Sequence, residues 1–116
     1  MAGTPRKSQN SIKAPQLPKT LTLADPDEDM LVDKETYTQL EFQQRDLTGG
    51  SAYRLHYEEV VFTQVNLTAA FLDYVRMEDV RLVGCNLANA TWTHLSCVRA
   101  EFIGCRLTGC MMPEAL

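Results

Sequence analysis

An apolar residue recurs at every fifth position through the second two-thirds of this chain. The series runs Phe42, Leu47, Ala52, Tyr57, Phe62, Leu67, Leu72, Met77, Leu82, Leu87, Trp92, Cys97, Phe102, Leu107 and Met112 without a break in phase. A straight α-helix or a β-strand, with its alternating faces, would scatter side chains spaced five apart around its surface. A chain that turns a corner once per five residues can point all of them inward. Self-similarity at a fixed short period therefore takes precedence over any assignment of individual helices and strands.

A second position keeps the same phase. Two residues before each centre, every residue from Leu55 through Val60, Val65, Ala70 and on to Cys110 is apolar or small. The residue between the two is mostly polar, as in Asn66, Arg76, Arg81, Asn86 and Arg106, with Val61, Phe71 and Met111 as exceptions. Two inward residues flanking an outward one describe a very short strand, and a corner follows it. Gly84, Gly104, Gly49 and Gly109, with Ala69 and Asn89, fall at predicted corners, where glycine tolerates positive φ.

Cys85-Asn86-Leu87-Ala88-Asn89 and Val65-Asn66-Leu67-Thr68-Ala69 carry a small residue, then Asn, then Leu, then two variable positions. Arg45-Asp46-Leu47-Thr48-Gly49 departs at its first position and Cys105-Arg106-Leu107-Thr108-Gly109 at its second. Residues 40–116 thus resemble the pentapeptide-repeat family. The resemblance implies an all-β fold, a right-handed quadrilateral β-helix with four pentads per coil. Positions four pentads apart test that number: Leu47, Leu67, Leu87 and Leu107 form one column, and Phe42, Phe62, Leu82 and Phe102 another. With coils about 4.8 Å apart the repeat body is about 18 Å long. Arg45, Gly50 and Ala52 supply little apolar volume, so the first coil is expected to be irregular.

Residues 1–20 read as a flexible tail, with Pro5, Pro15 and Pro18 and only positive charges (Arg6, Lys7, Lys13 and Lys19). Residues 21–39 read as a short N-terminal cap or linker. Within it, Asp27, Glu28 and Asp29 suit the first turn of a helix, and Leu31 and Val32 are expected to pack on the repeats. At the other end, Pro113-Glu114-Ala115-Leu116 stops inside a pentad with no polar cap behind it. The readings are a solenoid truncated at its C-terminus, one that pairs with another copy, or a simple frayed end.

The repeats offer little for catalysis. Cys85 and Cys105 share one column, Cys110 lies in the next, and Cys97 is a repeat centre; all four read as small core hydrophobes. His56 and His94 occupy different positions in the coil, so no metal site is expected. No glycine-rich phosphate motif appears, and no Cys–His pair is supported. No cofactor and no catalytic residue are assigned, and the chain is read as a non-enzyme. The interface candidates are the outward Phe71, the terminal Met111 and Met112, and the carboxylates Asp73, Glu78 and Asp79.

A net charge of -4 disfavours direct nucleic-acid binding, and no apolar run approaches membrane-spanning length. With no secretion signal, the expected location is the cytoplasm, with reduced thiols. The expected function is a non-catalytic macromolecular interaction or scaffolding module with a protein partner. The first alternative is a structural self-association element of a larger solenoid. The family resemblance implies a second, since some relatives mimic DNA and bind bacterial DNA gyrase or a related topoisomerase. Here Arg54, Arg76, Arg81, Arg99 and Arg106 interrupt the acidic residues such a mimic needs. An enzyme is the remaining and least supported alternative.

Overall fold

The computed structural model describes residues 14–112, so the start of the tail and Pro113–Leu116 of the last pentad lie outside the described residues. Six strands appear: β1 (Thr22–Leu23), β2 (Thr36–Thr38), β3 (Leu40–Gln43), β4 (Ser51–Thr63), β5 (Phe71–Val83) and β6 (Thr91–Ile103). All pairings are parallel, and the sheet order is β1-β3-β4-β5-β6, with β2 also on β4. The protein is all-β, a solenoid of four-pentad coils.

The register shows why the five-residue pattern works. Ala52 pairs with Leu72 and Leu72 with Trp92, each four pentads further along the chain. Phe42, Phe62, Leu82 and Phe102 pair in the same way. The remaining side is joined by bridges from Asp46 to Asn66, Asn86 and Arg106, beside the leucine column. Each coil covers the inward side chains of its neighbour and satisfies its backbone, which a single coil cannot do. Phe42, Phe62, Leu67, Leu72, Met77, Leu82, Leu87 and Trp92 are all fully buried.

The corners follow one rule. From Lys34 to Gly109, every fifth residue has positive φ, between 52° and 70°. Glycine holds only Gly49, Gly84, Gly104 and Gly109 in that series; the others include Arg54, Ala69, Tyr74, Asp79 and Asn89. No β-branched residue occupies it, consistent with the steric cost of a branched Cβ in the left-handed region. On one side the corner closes into a hydrogen-bonded turn, Gly50 N–H to Leu47 O at 2.9 Å and Ala70 N–H to Leu67 O at 3.0 Å. Positive φ at its third residue alone makes it type II. The Asn of the repeat caps this turn: Asn66 Oδ1 accepts from Thr68 N–H at 3.0 Å, and Asn86 Oδ1 from Ala88 N–H at 3.0 Å.

The N-terminal part departs from the regular coil in three ways. First, the ladder takes in Tyr37, one pentad before Phe42. Its ring stacks on Tyr57 at 5.2 Å, and Tyr57 Oη–H donates to Met30 O. Second, Thr22 pairs with Leu40 where the regular register would give Phe42, so the first circuit is two residues short. Arg45 reaches across that region, donating to Asp25 O at 2.7 Å and Pro26 O at 3.0 Å, which explains an arginine where small residues are usual. Third, Asp25–Glu28 form a β-turn rather than the start of a helix: Glu28 N–H reaches Asp25 O at 2.8 Å, and Asp27 N–H binds Asp25 Oδ1. Leu31 packs against the core beside Gly50, where a Cβ would come within 2.9 Å of it, while Val32 stays exposed.

Residues 14–20 lie along the body. Pro15 is buried, and Gln16 N–H donates to Asp79 Oδ1 at 2.9 Å. Thr22 N–H then reaches Gln39 O at 3.1 Å. Gln39, Glu59 and Asp79 form one corner column, so this segment is pinned at two corners that lie two coils apart.

Candidate interaction face

The side built on Ala52, Leu72 and Trp92 presents its outward residues in pairs that flank each buried centre. These are Ser51 and Tyr53, then Phe71 and Asp73, then Thr91 and Thr93, with Met111 bridged to Thr91 above. Outward positions of a regular strand are normally polar, yet Phe71 is 51% exposed, Tyr74 52% and Tyr53 40%. Met111 is exposed as well. Large exposed aromatics clustered on one rigid sheet make this side the candidate surface for recognition.

Polar contacts lie around these rings. Asp33 Oδ1 accepts from Tyr53 N–H at 3.1 Å. Asp73 Oδ1 accepts from the Thr93 hydroxyl and lies 3.1 Å from His94 Nδ1. The His94 ring stacks on Tyr74, with centroids 4.2 Å apart and planes 3° from parallel. The Thr93 and His94 contacts hold the Asp73 carboxyl below its usual range, so it is ionised at neutral pH. A shallow hollow of about 410 Å³ lies between Asp33, Ser51, Ala52, Tyr53, Phe71 and Asp73.

The next two sides carry charge, part of it in ion pairs. Beside the Met77 column, Glu78 lies 3.2 Å from Arg76 Nε and 3.0 Å from His56 Nε2. Beside the Leu82 column, Arg81 binds Glu101 at 3.0 Å. At the corner between these sides, Asp79 is buried and held by Arg99 through both carboxylate oxygens. These contacts, Arg76 first for Glu78 and Arg99 first for Asp79, lower both acids' pKa values. Of the six residues singled out in sequence, Phe71, Asp73 and Met111 share the aromatic side. Met112 points inward and is half-buried, while Glu78 and Asp79 belong to the neighbouring charged side.

Sequence reasoning does not pick out Tyr53, Tyr74 and His94. Tyr74 and His94 sit in the left-handed corner column, where side-chain identity is variable. They stand one full coil apart, the interval that defines the core columns, and that spacing is the signal that could have found the stack.

Burial pushes the Cys85 thiol up to about 11 and raises Cys97 and Cys110, which keeps them in the weakly nucleophilic thiol form. Among the described residues no group of three or more His, Cys, Asp or Glu side chains could hold a metal ion. No described helix is long and apolar enough to cross a membrane.

Residues 81–116 match the family model for pentapeptide repeats (8 copies), and the described part of that match, residues 81–112, falls within the square solenoid whose coils carry the same pattern upstream. Residues 81–116 are a run of pentapeptide repeats. No curated protein matches the chain. A solenoid of stacked pentads offers fixed outer faces of the kind an interaction-type module uses.

Proposed function

We propose that the aromatic side is the face through which this solenoid binds a protein partner in the cytoplasm. The observation that carries the reading is the exposure of Phe71 and Tyr74 on strands that the core holds rigid. A preformed face loses little conformational freedom on binding, so aromatic side chains there give the most affinity per residue. The test is a photo-crosslinking amino acid in place of Ser51, expressed in the native host. A discrete adduct is expected, lost when Phe71 is changed to Ser. It should be absent when the crosslinker replaces the exposed Gln43, beside the Phe42 column on the opposite side. Equal labelling from both positions would remove the face from consideration.

Self-association is favoured by a separate observation. Among the described residues no strand pairs with the outer edge of β6 from Leu95 to Ile103, and Cys97, Ala100 and Phe102 beside it are only partly buried. An open strand edge is a template for another strand. A molar mass by light scattering that rises with concentration, and falls back with Phe102→Glu, supports this reading.

A gyrase-directed DNA mimic draws less support. Glu78, Asp79 and Glu101 each meet a basic partner, which offsets the negative charge at those positions. Binding to a gyrase subunit that duplex DNA competes away would restore it.

A further inference from the structure

The hollow on the aromatic side has a lining that selects among ligands. Resting on the reading of that side as the binding face, we propose that the hollow takes an arginine side chain from the partner polypeptide. Along the solenoid axis, Asp33, Tyr53 and Asp73 follow one another at intervals of one coil, and Phe71 stands beside Asp73. The hollow therefore has carboxylates on either side of one ring and a second ring at its margin. The only charged groups among its lining residues are Asp33 and Asp73.

That combination matches a guanidinium, which is planar, permanently charged, stacks on aromatic faces and donates in a fork to carboxylates. Each carboxylate uses its Oδ1 for the contacts described above, Asp33 with Tyr53 N–H and Asp73 with Thr93 and His94. A cation already visits the neighbourhood: Lys34 Nζ lies 6.0 Å from the Tyr53 ring centre, and Lys34 does not line the hollow. A neutral partner would desolvate two carboxylates without compensation, so charge sets the preference.

The test is a nuclear magnetic resonance titration of the full chain with N-acetyl-arginine methylamide, and with the citrulline analogue of the same shape and no charge. Saturable shifts at the Tyr53, Phe71 and Asp73 amides are expected with arginine, at least fivefold weaker with citrulline. Phe71→Ala and Asp73→Asn should each weaken the arginine response fivefold or more. Neither side chain enters the core, and a cooperative thermal transition with the native pattern of amide resonances checks that each variant folds, Asp73→Asn at a slightly lower midpoint because it loses the carboxylate's contacts with Thr93 and His94. Equal responses to the two compounds, no saturable response, or shifts confined to another side would overturn the proposal. If the Ser51 crosslink forms and depends on Phe71 while arginine and citrulline behave alike, the face reading stands and the cation claim falls. If neither the crosslink nor the shifts appear, both fall.

Discussion

Arg99 reaches down one coil and grips both carboxylate oxygens of Asp79, at 2.5 and 2.9 Å, while the Gln16 N–H shares one of those oxygens from the N-terminal segment. Asp79 is the one buried charged residue among those described. It stands at a left-handed corner, joining two coils and the segment laid along them. Replacing it with Ala removes the acceptor for all three bonds and should cost about 2 kcal/mol. Urea unfolding measures the loss. Hydrogen exchange at the Gln16 amide should accelerate more than at the Leu82 amide, because the segment is released before the core opens.

Acid should weaken the same contacts. The Asp73, Glu78 and Asp79 carboxyls are held below their ordinary values of 3.8, 4.5 and 3.8 by their partners. Between the lowered folded values and the ordinary unfolded ones, the unfolded chain binds more protons, so stability falls as pH falls. The contribution is fully present above about pH 5 and is lost as pH drops through the carboxylate range. Thermal midpoints from pH 7 to pH 3 should show a decline that is shallower in Asp79→Asn.

The inward and outward positions of one pentad predict unequal costs. Leu87→Ala opens a cavity in a fully buried column and should cost about 3 kcal/mol. Asn86→Ala removes one turn cap and should cost about 1 kcal/mol. Denaturant midpoints of the two variants decide it, and equal losses would contradict the assignment of Leu87 to the interior.

Corner strain gives a prediction of the opposite sign. Ala69 is exposed at φ 58° and its N–H bonds to Ala88 O at 2.9 Å. Ala69→Gly keeps that bond and relieves the left-handed conformation, for a net gain of about 0.5 kcal/mol. Ala69→Val should lose about 1 kcal/mol or more at the same site. Thermal unfolding of the pair separates backbone strain from burial, since neither side chain enters the core.

The repeat body is legible in sequence because its signal is redundant: each inward column recurs once per coil, and Leu67 and Leu87 each vouch for the other. Tyr37 is harder to find. It is in phase, five residues before Phe42 and twenty before Tyr57, but the exposed Glu35 stands two residues before it, where the repeat otherwise has an apolar or small residue. The contact between Gln16 and Asp79 leaves no trace in sequence, because the segment contributes a backbone N–H that any residue but proline could supply. On the aromatic side, Phe71 stands out as an exception to the polar outward rule. Tyr53 and Tyr74 sit where no compositional rule applies, and only the stacking of coils brings them beside it.

The register also governs how such a chain can change length. Coils pair at an offset of four pentads and a corner recurs in each pentad, so inserting one pentad between Tyr53 and Phe71 would leave every downstream side chain at its proper depth. It would, however, carry all of them around the axis by a quarter circuit, moving Phe71 and Tyr74 away from Tyr53. A full coil's insertion would restore the alignment at greater height. Lineages of this protein can thus lengthen one pentad at a time while keeping a sound interior, but can preserve an extended patch only in steps of four.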